Sequence, residues 1–304
     1  RMNLIDKRNE DILVHINGEL VPRNEAKISV FDSAVQGGDA VWEGLRIYKG
    51  RIAALAEHLE RLQDSAKALM FENIPSSTKI KEALFATLEA NGMWDQTHIR
   101  LTLTRGEKIT SGMNPKLNQS GCTLIVLAEW KPPVYSNTGI RVITSSIRRN
   151  SPQFLDSKIH HNNLLNNILA VIEANVSDVD SAIMLDNNGF VSETNDTNIF
   201  IVSNNEIHTP TADSCLPGIT RKMIIHIANR EGIKIQERNI SNSELYTADE
   251  VFTSGTMGEI TPILEADGRK IGDGTQGSIT KRIQSLHSDY AFENGEPVLF
   301  SKPE

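Results

Sequence analysis

The stretch "FLDSKIHHNNLLNN", residues 154–167, sets one lysine, two histidines and four asparagines at the start of an apolar helical pattern. Lys158 falls between a strand-like run and that pattern, where the positive end of a helix disfavours an ammonium. A lysine held neutral is a nucleophile that forms a Schiff base with a carbonyl compound. The competing reading is a solvated lysine at an element junction. His160 and His161 are neighbours, so on a regular element they point in different directions. Zinc needs three or four ligands, and neither HExxH nor a CxxC pair accompanies them. No metal site is expected, and the histidines read as polar residues capping or lining the helix start.

Two further segments suit an anion. "LPGITR", 216–221, puts Gly218, Ile219 and Thr220 at a helix N-terminus, where free backbone N–H groups and a hydroxyl fit a phosphate. "SGTMGE", 254–259, sets Thr256 in a turn flanked by glycines that lets amides face one point. Arg61, in "EHLERL", adds a full positive charge. Each has an ordinary alternative, since Pro-Gly punctuates helix starts and glycine turns join strands. Glu193 in "GFVSETNDTNIFIV" is either a carboxylate deep in a sheet, able to pair with a protonated ring nitrogen, or a solvated turn acid. No GxGxxG or GxxxxGK[ST] motif supports a dinucleotide or P-loop site.

The elements that must position these residues follow from hydrophobic spacing. "DILVHINGELVP" reads as a hairpin turning at Asn17-Gly18, and "AKISVFD" as a further strand. "AVWEGLRIYKGRIAAL" gives two strands about a Lys49-Gly50 turn. "AEHLERLQDSAKALMF" and "TKIKEALFATLEANGM" carry helical spacing, the second ending at Asn91-Gly92. "HIRLTLTRG", "CTLIVLAEW" and "GIRVITSSIRR" read as strands. "NNLLNNILAVIEANV" is expected to be a helix with Leu164, Leu165, Ile168 and Ile172 on one side. "SAIMLDNNGFVSETNDTNIFIVSNNEIHTP" is a meander turning at Asn188-Gly189 and Asn204-Asn205. "LPGITRKMIIHIANREGI" enters a helix, "ADEVFTSGTMGEITPI" is strand, turn, strand, and "GSITKRIQSLHSDYAFENG" is a last helix. Strands cluster instead of alternating with helices, which favours an α+β chain with largely antiparallel sheets. The paired prolines of "KPPVYSNTG" mark a linker at 131–139, separating a small N-terminal α/β domain, 1–130, from a large C-terminal domain, 140–304.

Composition narrows the function. The 304 residues are 39% hydrophobic and 23% charged, as in a soluble globular protein. A formal charge of −8 with no dense run of Lys or Arg speaks against a nucleic-acid binder. No apolar stretch approaches a membrane span and no signal-peptide core opens the chain. Cys122 and Cys215 make no metal-type spacing, so a reduced, cytoplasmic protein is expected.

Taken in order, "EHLERL", the "SK" before a helix, "GFVSETNDTNIFIV", "LPGITR" and "EVFTSGTMGEITPI" resemble the fold-type IV pyridoxal-phosphate enzymes, the class IV aminotransferases. The closest resemblance is to branched-chain amino-acid aminotransferases, from "ILVHINGELVP" to "ITKRIQ". It implies a two-domain, D-amino-acid aminotransferase-like fold with a barrel-like large domain. It also implies pyridoxal 5′-phosphate as cofactor and a homodimer, with the site between domains and partly covered by the partner's small domain. Lys158 matches the lysine that holds the cofactor as an internal aldimine and shuttles the proton, and Glu193 the carboxylate that keeps the pyridine nitrogen protonated. Arg61, Gly218, Ile219, Thr220 and Thr256 match the phosphate-binding set. The amides of Met257 and Gly258 match the turn that meets the substrate carboxylate, and Arg100 an arginine that helps with acidic substrates.

The resemblance therefore implies ping-pong transfer of an amino group from an apolar, branched-chain-like L-amino acid to 2-oxoglutarate. Departures cluster where substrate is chosen: Asn163 stands where tyrosine is usual five residues after the lysine, Gly37 and His98 also replace tyrosines, and Trp42 replaces a phenylalanine. Three alternatives follow: a D-amino-acid or (R)-amine aminotransferase, an aminodeoxychorismate lyase, and a non-catalytic binding protein of the same fold. The last has no use for both Lys158 and Glu193.

Overall fold

Asn17 and Gly18, with φ of 49° and 95°, form the expected two-residue hairpin joining β1 (Leu13–Ile16) to β2 (Glu19–Pro22). The computed structural model describes residues 6–303, in two units. The first takes the chain up to Pro132, then Ile159–Asn163, then Ala291 onward; the second takes Pro133–Lys158 and Leu164–Tyr290.

In the first unit, α1 (Ser33–Gly37), β3 (Ala40–Tyr48) and β4 (Arg51–Ile52) precede α2 (Leu55–Ala68) and α3 (Ser77–Asn91). β5 (Thr97–Thr104) and β6 (Thr123–Trp130) follow. With β16 (Glu296–Pro297) they build an antiparallel sheet in the order β16-β4-β3-β5-β6-β1-β2. Period-two alternation sends Val41, Leu45 and Ile47 of β3 and Ile99, Leu101 and Leu103 of β5 into one core with Leu59 and Leu62 of α2 and Leu84 and Leu88 of α3. Glu43 lies on that same inward parity, an acid among aliphatics. Trp42, His98 and Arg100 have the opposite parity.

"AKISVFD" is not a strand. The Asp32 N–H donates to Ser29 O and the Phe31 N–H to Ser29 Oγ, which turns the chain, and pairing is reduced to an isolated bridge of Asp32 to Glu107, with Phe31 O accepting from the Lys108 N–H. Asp32 then caps α1, its Oδ1 accepting from the Ala34 N–H while Oδ2 accepts from the Thr104 and Thr123 hydroxyls, all out of water.

In the second unit β7 (Ile140–Thr144), α4 (Leu165–Val176), β8 (Ser181–Leu185), β9 (Val191–Thr194), β10 (Asn198–Ser203) and β11 (Glu206–Thr209) come first. α5 (Ile219–Arg230), β12 (Ile235–Glu237), α6 (Asn242–Tyr246), β13 (Glu250–Gly255), β14 (Glu259–Ala266), β15 (Arg269–Lys270) and, as far as Tyr290, α7 (Ser278–Glu293) follow. The sheet runs β12-β11-β10-β13-β14-β7-β8-β9, with β15 on β14. It is antiparallel except where β11 meets β12, β14 meets β7 and β7 meets β8. Both faces are covered: Ile199 and Ile201 of β10 enter one core, while Phe200 and Val202 enter another, where Phe200 stacks on Phe252 at 4.9 Å.

Helix α4 begins at Leu165, not at Asn162. Residues 159–163 are instead drawn onto β3: Val41 bridges His161, the Trp42 N–H donates to His160 O and the Asn162 N–H to Ala40 O. The apolar side of α4 faces water. Leu165, Ile168 and Ile172 are 66%, 48% and 50% exposed, and Ala170 and Ala174 are buried in their place. β12, α6, β15 and β16, all short, have no clear signal in the hydrophobic pattern.

Replacing Asp32 by Ala uncaps α1 and strands two buried hydroxyls. Urea unfolding should show a loss of about 2–3 kcal/mol, with a smaller loss for Asp32→Asn, which still accepts hydrogen bonds.

Candidate functional site

Glu193 sits in β9, 5% exposed, so the solvated-turn alternative falls. Arg149 Nε donates to its Oε1 at 2.6 Å and Asn198 Nδ2 to its Oε2 at 3.2 Å. Burial pushes the Glu193 carboxyl above the usual carboxylate range, against the pull of Arg149. Asn198 also reaches the "LPGITR" loop, donating to Leu216 O and accepting from the Gly218 N–H. A Cβ on Gly218 would come within 2.2 Å of Asn198 Oδ1, so only glycine allows that approach. The acid and the helix start are thereby locked together.

Gly218 is the N-cap of α5 and no side chain caps this end, which leaves the Ile219 and Thr220 amides in its first turn without a helical partner. Thr220 is buried, its hydroxyl beside those amides. Thr256, Met257 and Gly258 form the turn joining β13 to β14. The Val134 N–H donates to Met257 O, and a Cβ on Gly258 would lie 2.9 Å from the Tyr135 ring. Tyr135 in turn donates to Asp196, three residues past Glu193. Ser254 Oγ, at the root of the turn, is buried and has no hydrogen-bond partner among the described residues.

Lys158 is exposed, its Nζ 3.5 Å from Asp213 O and 4.0 Å from Asp156 Oδ1. It does not stand at the helix start expected for it, because α4 begins only at Leu165. Its charge reaches the same buried Cys215 thiol that Glu193 and Arg149 act on; burial first, and then Glu193, push that thiol up to about 12. The 213–216 segment reaches both residues: Lys158 Nζ lies 3.5 Å from Asp213 O, and the Leu216 N–H donates to Glu193 Oε1 at 3.4 Å.

The remaining candidates lie in the first unit. Arg61 meets Glu43 through two bonds, Nε to Oε1 at 2.8 Å and Nη2 to Oε2 at 2.7 Å. Its Nη1 is buried and without a partner among the described residues. Trp42 is packed by the Arg100 guanidinium, 3.9 Å from its ring centroid, and by the tilted His160 ring at 4.3 Å. Its Nε1 donates to His161 O, and Arg100 Nη2 donates to Asn162 Oδ1 at 2.8 Å. His98, on the same strand face as Arg100, has both ring nitrogens buried without a hydrogen-bond partner among the described residues. Burial, helped by Lys131, Arg46 and Arg100, lowers it to about 3, so it is neutral at physiological pH. Gly37 ends α1, and a Cβ added to Gly38 would lie 3.6 Å from Asn163 Cα. His160 belongs to the Glu43 cluster rather than to a helix cap.

Arg149, Asn198, Glu43 and His58 are functional candidates missed by sequence reasoning. Arg149 reads as one of a charged pair ending a strand, and nothing in the spacing ties it to Glu193. Asn198 alone had a usable signal, an amide on a strand shortly after the acid. Among the described residues no His, Cys, Asp and Glu group could hold a metal ion, and no helix is long and apolar enough to cross a membrane.

Comparison with known proteins places this geometry. The amino-transferase class IV family model matches residues 40–266. The chain is 60% identical, over 95% of its length, to branched-chain-amino-acid aminotransferase-like protein 2 of Arabidopsis thaliana, and spans about half of that relative, 52%. It is 40% identical to a putative branched-chain-amino-acid aminotransferase of Methanocaldococcus jannaschii, covering 91% of this chain and 95% of the relative. Among solved structures it is similar to the T.th. branched-chain amino acid aminotransferase with pyridoxamine 5′-phosphate, with a TM-score of 0.87, 34% identity and 96% of each chain covered.

Removing the cation from the buried pair tests how the acid is held. Arg149→Met should cost about 3–5 kcal/mol in urea unfolding at neutral pH. Arg149→Met combined with Glu193→Gln should recover much of that loss.

Proposed function

The chain belongs to the class IV aminotransferase family, and on that premise we propose that it is a pyridoxal-5′-phosphate-dependent aminotransferase. It moves the amino group of an apolar, branched-chain-like L-amino acid to 2-oxoglutarate, and works as a homodimer. The observation that carries the reading is the Asn198 bridge, which fixes a buried carboxylate and an uncapped helix start in one rigid assembly.

The residues present fit the cofactor. In the second unit the first-turn amides of α5 and the orphaned Ser254 hydroxyl suit an anion, and in the first unit Arg61 Nη1 is buried without a partner among the described residues. Arg61, Gly218, Ile219, Thr220 and Thr256 would hold the phosphate, Glu193 the ring nitrogen and Lys158 the reactive carbon. When bound, pyridoxal phosphate supplies a carbonyl for amino groups and a ring that accepts the electron pair left by a departing α-proton.

The chain's residues do the rest. Glu193, its Oε1 on Arg149 and Oε2 on Asn198, keeps lone pairs free to hold a proton on the ring nitrogen. Lys158 takes the proton from the substrate Cα and returns it elsewhere on the reacting pair, a task that suits an amine on a long, unencumbered stem. The Met257 and Gly258 amides bind the α-carboxylate. Trp42 and the neutral His98 wall an apolar side chain, and Arg100 offers a cation to the side chain of an acidic partner. One oxo acid leaves before the next enters, so the kinetics are ping-pong.

Purified with its cofactor, the protein should be yellow, and borohydride should bleach it and fix the label on Lys158. A Lys158→Ala protein that still took the label would end the assignment. In single half-reactions L-Leu and L-Glu should bleach the colour far faster than D-Ala, D-Glu or (R)-phenylethylamine; rapid bleaching by D-Ala alone would move the substrate to the D-series. Arg100→Ala should raise KM for 2-oxoglutarate about tenfold and leave 4-methyl-2-oxopentanoate nearly unchanged, whereas equal losses would make Arg100 structural.

A further inference from the structure

Glu43 is wholly buried on the helix-packed side of β3, yet its carboxylate is saturated with donors. Oε1 accepts from Arg61 Nε at 2.8 Å and lies 3.2 Å from His160 Nδ1. Oε2 accepts from Arg61 Nη2 at 2.7 Å and lies 2.6 Å from His58 Nδ1. His160 is itself held: its backbone N–H donates to Ser65 Oγ and its ring lies tilted against Trp42 at 4.3 Å. The carboxylate therefore ties α2, which carries Arg61, to the segment that directly follows Lys158.

A pair built only for stability would leave no donor unmet, because a buried N–H without a partner weakens the fold. Arg61 departs from that rule in one atom. Nε and Nη2 are fixed in a two-bond fork, which sets the guanidinium plane and stops it rotating, and Nη1 alone is left over. A guanidinium held by one carboxylate and short of one partner is oriented to receive a second anion.

Resting on the cofactor reading above, we infer that Glu43 is the positioning residue for Arg61: it fixes the guanidinium so that Nη1 meets the cofactor phosphate, with His58 and His160 bracing the carboxylate. Glu43 touches no reacting atom. It acts through Arg61, and the effect is confined to ligands that carry a phosphate.

The test compares two probes that differ only in that group. Apoprotein is titrated with pyridoxal phosphate and with pyridoxal, following the visible band, for wild type, Glu43→Gln, Arg61→Ala and the double variant. Glu43→Gln should weaken pyridoxal phosphate about tenfold, the size of one charge-assisted hydrogen bond, and pyridoxal by less than about twofold. The double variant should bind no worse than Arg61→Ala alone, since the two residues act as one unit. Equal weakening of both probes, full additivity in the double variant, or an unchanged preference for the phosphate would each overturn the inference. If Glu43→Gln does not fold, His58→Asn gives the same readout: a reduced phosphate preference supports the role and an unchanged one removes it. Wild-type protein that binds neither probe would sink the cofactor assignment, and this inference with it. Wild-type binding with an unchanged ratio in Glu43→Gln would sink this inference alone.

Discussion

A carboxylate removed from water has to be met by donors on every side, and that requirement organises both units. Glu193 in one and Glu43 in the other are buried acids, each fastened to an arginine. Around Glu193 the consequence spreads outward. Arg149 answers its charge, Asn198 takes its second oxygen, and the same amide fixes the loop that starts α5. The turn at 256–258 is braced by Tyr135 and by the loop leaving Glu193. One desolvated group thus accounts for the placement of most residues expected to do chemistry in that unit.

Glu43 behaves differently under the same constraint. Its pull on Arg61 and its two histidine neighbours outweighs burial, and the carboxyl is held well below its ordinary range. The two-bond fork from Nε and Nη2 onto that carboxylate holds the guanidinium in one plane. Burial raises the Glu193 carboxyl, whereas at Glu43 the surrounding donors overcome burial and lower it. Two glutamates of identical chemistry are set apart by the donors around them.

Much of this was legible in the residues. Alternation in "HIRLTLTRG" and "CTLIVLAEW" marks β5 and β6, Asn-Gly pairs mark the turns, and "LPGITR" marks the start of α5, because each rests on local chemistry. The failures share a cause as well. "AKISVFD" alternates like a strand, yet Asp32 finds better partners in Thr104 and Thr123, which are distant in sequence. The helix expected from Asn162 loses its first turn to β3, an edge that no local pattern reveals. Arg149 and Glu43 are invisible for the same reason: an ion pair's partner is chosen by the tertiary fold, and sequence spacing is silent about it. Apolar periodicity in α4 points correctly to a helix and wrongly to its buried side, since small alanines make the contact.

The first unit is stitched from three separate lengths of chain, and this bears on how the protein is made. Synthesis runs from the N-terminus, and domains usually fold as their residues emerge. Here the seven-stranded sheet has most of its strands by Trp130, but the segment on β3 comes only with residues 159–163, and the edge strand β16 only with Glu296–Pro297. Almost all of the second unit is translated in between. Until Glu296–Pro297 emerge, β4 lacks the strand that pairs with it, an open edge beside the strands already formed. The nascent chain must hold a nearly finished sheet unsealed while the residues of another unit are added.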